Sequence, residues 1–455
     1  MLHQEVLDRL IEKHPEAVLV RATLEHALPP TFVDEVFERV ASKQYTRKLL
    51  FSTLVRLLSL VVCRVRPSVF SAFQFMEGQI QVIAKTVYNK LNGCEIIVSE
   101  AIVAESAQRL AAVVDEMDAP LKPLIPGWKT RILDGNHLAS TQHRLQELRT
   151  LGGGALPGQA LVIFDADRGL VSRAYLCVDG HAQEREIMLE ALGEVEAGEV
   201  WIADRNFATA VFMHQVHVSS ARFIVRRHLG NGRVREVGPW RRIAESQTGT
   251  IEERSVVIED GFGGELEARS IRVRLQKQTR DGDREIELLT DLPAKITAEL
   301  IADAYRQRWR IETAFADLDR VFEGEIESLG HPQAALLAFA LALVAYNTLG
   351  VVQATLRAVH GAETVKNAVS PYYLGLSTAT SWSSLELFHD AKDWTKHIAR
   401  KTASQMARLL VHMARKVNLA KLKKHPRGPK KPQPARQHNK NSPHFATSRV
   451  LAQRK

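Results

Sequence analysis

The sequence predicts an α/β protein: a mixed sheet with a β-rich insertion, preceded by an α-helical N-terminal region and followed by a helical, basic C-terminal region. Three observations predict it. Apolar residues recur three and four apart as far as Met117. Short apolar runs then alternate with helical stretches up to about residue 227. From residue 226 to 292 the helical period gives way to polar–apolar alternation broken by GNG, GFGG and DGD.

The chain has 455 residues, 45% apolar and 25% charged, an ordinary globular composition with length for several cores. In the first region, 1–118, segments such as FVDEVFERVASK and AIVAESAQRLAAVVDEM carry the helical period. The charged first thirty residues lack the apolar stretch of a secretory signal. The proline-marked link APLKPLIPGW follows, and residues 119–227 then read as strand TRILDGNHLA, paired strands ALVIFDAD and GLVSRAYLCV, helix REIMLEALGEV, strand EVWIADRNF, helix ATAVFMHQVH and strand RFIVRRH. Residues 228–292 form the β insertion. Helix resumes in TAELIADAYRQRWRIETAFADL, read as one continuous helix N-capped by Thr297, within a segment 293–355. Residues 356–414 read as a helical region suited to dimerisation, and 415–455 as a disordered basic tail.

Two apolar runs, from Leu49 and from Ala334, are expected to be buried helices. The first is short and holds Arg56, the second holds Tyr346, Asn347 and Thr348, and a membrane span needs about 20 mostly apolar residues. Cys63, Cys94 and Cys177 are scattered, which argues against a disulfide framework or zinc site and for a reducing, cytoplasmic setting. The net charge of +9 lies in the tail: residues 415–455 carry 13 Lys and Arg and no acid, leaving 48 basic against 52 acidic residues elsewhere. Such a tail suits phosphate backbones, with a solubilising extension as the plainer alternative.

Three acids stand out by position. Asp134 ends the apolar strand RILD, Asp204 ends VWIAD, and Glu312 lies on the helix after the insertion. Singly, a strand-end aspartate is usually a turn former or N-cap. Together, two strand-end aspartates and a helical glutamate supply the hard oxygen ligands that divalent cations need, and two ions about 4 Å apart can clamp both oxygens of a phosphodiester displacement. At about 100° per residue, Tyr305, Arg308, Glu312, Phe315 and Asp319 fall within about 80° of one another, with Arg306 and Arg310 off the stripe. The plainer reading of that stripe is a surface Arg308–Glu312 pair with Tyr305 packing beside it.

With LDGNHL around Asp134, ADRNF around Asp204, and Tyr305, Arg308 and Glu312 at Y-x-x-R-x-x-x-E spacing, residues 128–347 resemble the DDE transposases of bacterial insertion sequences that carry the YREK signature (the insertion sequence four family). The resemblance implies a ribonuclease-H-like catalytic core and an insertion between the second and third acids. It also implies Asp134, Asp204 and Glu312 as catalytic residues and ligands of two Mg²⁺ or Mn²⁺ ions, and Tyr305 and Arg308 as holders of a DNA phosphate. The partners would be double-stranded DNA, as terminal inverted repeats and target, and a second copy of the chain in the synaptic complex. The signature's final lysine is replaced by Asp319, an acid that cannot grip phosphate, while Arg320 next to it points about 100° away. Two rivals follow: a catalytically silent DNA-binding descendant, and a two-metal nuclease that cuts without joining.

Weaker signals are weighed the same way. Trp240, near Arg233, Arg235, Arg241 and Arg242, suits base stacking or packing. Arg222, Arg226 and Arg227 suit backbone contacts or a solvated edge. GGGALPG lacks the Lys-Ser/Thr of a nucleotide loop and reads as a turn, and His137 reads as structural. The N-terminal helices suit binding of a DNA end or subunit pairing, without a trusted recognition-helix signature.

Overall fold

A computed structural model of the protein describes residues 2–42, 48–119, 121–142, 145–149, 155–228, 233–279, 282–388, 395–424 and 445–453. Helices α1 (Leu2–Lys13), α2 (Pro15–Ala27), α3 (Pro30–Val40), α4 (Phe51–Val62), α5 (Val69–Phe75), α6 (Ala84–Asn92) and α7 (Ile96–Asp115) form the N-terminal region. Strands β1 (Lys129–His137), β2 (Gln159–Asp165) and β3 (Leu170–Cys177) follow, then α8 (Glu184–Ala191), β4 (Glu199–Ala203), α9 (Ala210–Val218) and β5 (Arg222–Arg226). This is the β-β-β-α-β-α-β order read from the sequence.

The strands lie in the order β3-β2-β1-β4-β5, with β1–β2 and β2–β3 antiparallel and β1–β4 and β4–β5 parallel. This is the mixed sheet of the expected class. Alternation along β1 and β4 splits the core in two: Ile132 and Ile202 face the larger core with α7, while Leu133 and Ala203 face a smaller one with Phe207, Phe212 and Phe223.

The insertion contributes β6 (Arg233–Glu236), β7 (Arg241–Glu245), β8 (Gly249–Glu259), β9 (Glu265–Leu275) and β10 (Glu285–Thr290). It does not stand apart. β10 pairs antiparallel with β5 and with β9, so one ten-stranded sheet runs from β3 to β6, with β7 hydrogen-bonded to β8.

The chain returns through α10 (Ala298–Arg306) and α11 (Trp309–Val321). Thr297 caps α10 as expected, its hydroxyl accepting from the Leu300 N–H at 3.3 Å. The single continuous helix is not seen. Gln307 and Arg308 donate their N–H groups to Ala304 and Tyr305 three residues back, and Arg310 and Ile311 do the same to Gln307 and Arg308. This tightened 3₁₀-type turn divides the two helices, and the 100° stripe is therefore only approximate across it.

α12 (Pro332–His360) is long and apolar enough to cross a membrane, yet 94% of its most apolar window is buried inside the protein. Asn347 on α12 treats the edge strand β3 as a further strand would: its Oδ1 accepts from Val171 N–H at 2.7 Å and its Nδ2 donates to Val171 C=O at 2.8 Å. α13 (Ala362–Ala368), α14 (Pro371–Phe388), α15 (Ala403–Ala414) and α16 (Thr447–Ala452) complete the chain.

The basic tail departs from the disordered expectation where it is described. Lys424 donates its N–H to Ala368, and residues 445–447 return to Leu156: its N–H donates to Phe445 C=O and its C=O accepts from Thr447. Arg449 then pairs with Asp179 at 2.6 Å. Thr447 and Ala446 are buried, so apolar contact anchors this segment despite its charge. Most of the predicted basic run, 425–444, and residues 151–154 of the glycine-rich turn lie outside the described residues.

Candidate active site

Leu133 of β1 pairs with Ala203 of β4 in parallel register. The next residue in each case is an aspartate, so Asp134 and Asp204 sit side by side where the β1–β4 pairing ends, about 5 Å apart across neighbouring strands; Asp134 does not end its strand as expected, since β1 runs on to His137 against β2, whereas Asp204 directly follows β4. Both follow the parity of Ile132 and Ile202, hence face the side where α11 packs on β1. Asp204 also caps the turn after it, its Oδ1 accepting from Asn206 N–H at 2.8 Å.

Glu312 reaches this place through Arg308. One guanidinium nitrogen lies 2.8 Å from Asp134 Oδ2 and another 2.5 Å from Glu312 Oε1, so Arg308 bridges the two acids. Asp134 and Arg308 are largely buried, with side chains 15% and 13% exposed, whereas Glu312 is 48% exposed. Arg308 Nε is buried without a partner. Tyr305 lies beside Arg308, and burial pushes its phenol up to about 12. Tyr305, Arg308 and Glu312 are thus brought together, but Arg308 grips the carboxylates of Asp134 and Glu312.

Burial pushes Asp134 up to about 7, further than the Arg308 charge can offset, and the nearby Asp204, Glu312 and Glu184 carboxylates add to the rise. Glu184 is the acid that sequence reasoning missed. It opens α8 and lies so close to Gly135 that a Cβ there would meet Glu184 Oε1 at 2.1 Å. Its Oε2 accepts from Asn206 Nδ2 at 2.5 Å. Gly135, Glu184, Asn206 and Asp204 therefore form one chain of contacts behind Asp134. The available signal was slight: an acidic first turn in REIMLEALGEV, and the glycine that follows Asp134. Glu325, also unforeseen, binds the end of β1 through Asn136 Nδ2 and the Ala139 N–H.

Other sequence candidates fall elsewhere. Asp319 is exposed, and the cation that favours its charge is Arg64 of the N-terminal region, which caps α11 by donating to the carbonyls of Asp319 and Phe322 at 2.7 and 2.8 Å. Arg320 is taken by Asp317 and does not stand in for a lysine at 319. Trp240 lies with the guanidinium carbons of Arg254 and Arg272 4.2 and 4.0 Å from its ring centre, so its π surface is engaged by β8 and β9 rather than by its sequence neighbours. Arg226 and Arg227 pair with Asp283 and Glu287 at 2.7 Å, and Arg222 lies 3.6 Å from Asp291, which makes them struts of the widened sheet. His137 is exposed at the end of β1.

The fold and site define a class: a mixed α/β sheet presenting an acid cluster at the ends of two parallel strands, closed by a helical glutamate. Residues 130–348, which carry the whole cluster, match the family described as Transposase DDE domain. No curated protein matches the chain in sequence. Among solved structures it is similar to the "Cryo-EM structure of piggyBac transposase synaptic complex with hairpin DNA (SNHP)", at 10% identity and a TM-score of 0.40 over 89% of this chain and 86% of that one, a likeness too distant to add to the geometry.

Proposed function

We propose that the protein is a DNA transposase of the DDE type, of the insertion-sequence kind whose YREK signature it keeps at Tyr305, Arg308 and Glu312 but not at Asp319, and that it cuts and joins the ends of its element. The observation that carries this reading is the register of β1 and β4, which sets Asp134 beside Asp204, with Arg308 linking Asp134 to Glu312. The family match over residues 130–348 supports it.

The donor chemistry fits a divalent cation. Asp204, Glu312 and Glu184 lie near enough to raise Asp134, and a carboxyl pushed up to about 7 by burial and like-charged neighbours is one that a cation would stabilise as an anion. Among the described residues no three such groups stand close enough to enclose an ion, and Arg308 occupies the position between Asp134 and Glu312. Asp134, Asp204 and Glu312 would hold two Mg²⁺ or Mn²⁺ ions, which supply Lewis acidity toward the phosphodiester and a nucleophilic hydroxide. Glu184 orients Asn206 and so the turn bearing Asp204. Once released from the acids, Arg308 would hold a DNA phosphate beside the Tyr305 hydroxyl. The basic tail would add sequence-independent affinity for duplex DNA, and a second copy would hold the other end.

The arginine bridge and Asp319 favour a second reading, a silent DNA-binding descendant. Purified protein with its cognate terminal repeats and Mg²⁺ separates the readings. Cut ends and joined products, both lost in Asp134→Ala, support the transposase. Identical inactivity of both proteins, with the repeats still bound, supports the silent descendant. Cutting without joined products marks a nuclease.

A further inference from the structure

Arg310 lies two residues before Glu312 on α11, about 200° round the helix, and opens onto a different space. A cavity of about 840 Å³ lies between the 121–124 link, the α10–α11 junction, α12 and α13. Seven lysines and arginines line it, against three acids. Part of that charge is already neutralised: Arg168 pairs with Asp115 and Asp165, and Arg306 with Asp303. Two guanidinium groups make no such pair. Among the described residues neither Arg310 nor Arg357 forms an ion pair, and Arg357 keeps both Nε and one terminal nitrogen buried without any hydrogen-bond partner.

Arginine cannot shed its proton to escape such a place. A buried donor with no acceptor is costly, more so when charged. The cost is compounded because Arg310 is near enough to disfavour the charge on Arg357. Arg310 hydrogen-bonds only neutral groups, the Gln307 side chain at 3.0 Å and the Ala166 carbonyl at 3.2 Å, and the nearby Asp167 carboxylate offsets only part of the burial that disfavours its charge. Two adjacent cations with spare donors facing a roomy cavity make a receptor for an anion with several oxygens.

We propose that this cavity is a phosphate-binding site in which Arg310 and Arg357 grip one phosphate group, carried either by a nucleic-acid backbone or by a soluble phosphorylated molecule. A phosphate has the charge to balance two guanidiniums and the oxygens to take bidentate hydrogen bonds from Arg357. Leu121, Leu124, Phe164 and Leu300 supply an apolar wall for the organic part of the ligand, with Trp309, 66% exposed, at the rim. The site is separate from the acid cluster and does not depend on its activity.

The test titrates full-length protein with inorganic pyrophosphate at constant ionic strength, using chloride as the control, and reads heat and melting temperature. Saturable binding with a rise in melting temperature is expected, with both lost in Arg357→Met. That variant, free of ligand, should melt no lower than wild type, because it removes the orphaned donors. The rim variant Lys366→Gln, which disturbs no buried group, should weaken pyrophosphate about threefold, the scale of one screened charge. Fluorescence anisotropy with duplex DNA separates the sources. If the backbone is the natural ligand, pyrophosphate competes with DNA, and Arg357→Met lowers the salt slope by about one. If a soluble molecule is, DNA binding is unchanged while pyrophosphate binding is lost. No saturable effect beyond chloride, or equal effects on wild type and Arg357→Met, would overturn the proposal.

Discussion

Removing Arg308 should destabilise the protein in a way that depends on pH, because its main partner titrates near neutrality. In Arg308→Ala, Asp134 loses an ion pair whose side chains are 15% and 13% exposed, while Glu312, 48% exposed, loses a solvent-screened one. Breaking a buried pair by deleting one partner costs about 3–5 kcal/mol, and the screened pair adds at most about 0.5 kcal/mol. Asp134 sits at about 7 in the folded chain against an ordinary 3.8. The folded state therefore keeps a proton that the unfolded chain releases, so stability from this group falls as pH rises from about 4 to about 7 and is level above. Without Arg308, burial and the remaining carboxylates push Asp134 higher, and each further unit extends the decline by about 1.4 kcal/mol. Below about pH 6 Asp134 is protonated in both proteins, and they should differ by only about 1 kcal/mol. Above about pH 8 the gap should widen to about 3 kcal/mol. Denaturant unfolding of chelator-treated protein at the two pH values measures it. A gap equal at both would show that Arg308 acts through packing alone and would refute the argument.

Gly135→Ala should push Glu184 away from Asn206, costing about 1–3 kcal/mol for the charge-assisted bond. If the acids act together, it should also lower DNA cleavage more than tenfold, since displacing a positioning contact disturbs Asp204; end-cleavage assays with parallel melting curves check both. Asn347→Ala deletes both bonds to Val171 in a fully buried place and should cost about 2–4 kcal/mol, read by denaturant midpoint. Gly249→Ala would set a Cβ 1.8 Å from the Arg274 carbonyl at a φ of +152°, which no small shift relieves. It should loosen β8 from β9, with a loss of more than about 3 kcal/mol and early proteolysis in the insertion.

The sheet was legible because its signals are local. Ile132, Leu133 and Asp134 announce a strand that meets two cores and then a polar end, and Asp204 repeats the pattern on β4. Thr297 was legible as a cap because capping acts over three residues. What escaped depends on distant partners. Glu184 gains meaning only when α8 folds over Gly135, and Asp134 finds Arg308 across 174 positions. Trp240 was judged by its neighbours in the chain, but its ring partners come from two strands of the sheet beneath it. The 3₁₀ turn at Gln307 has no proline or glycine to announce it, and the anchoring of Arg449 to Asp179 offered no sequence signal.

The joint between β5 and β10 has a consequence for what can be exchanged. Arg226 and Leu288 face each other as paired neighbours, so the chain leaves for the insertion and comes back at the same point of the sheet. With its two ends side by side, the excursion can lengthen at its far turns, but Arg269 of β9 donates to the carbonyls of Leu292, Pro293 and Ile296 and so braces the approach to Thr297. An insertion grafted at that seam would have to keep this arginine and the apolar residues Val256, Ile258, Leu266 and Ala268 that fill the smaller core beside Leu133 and Ala203.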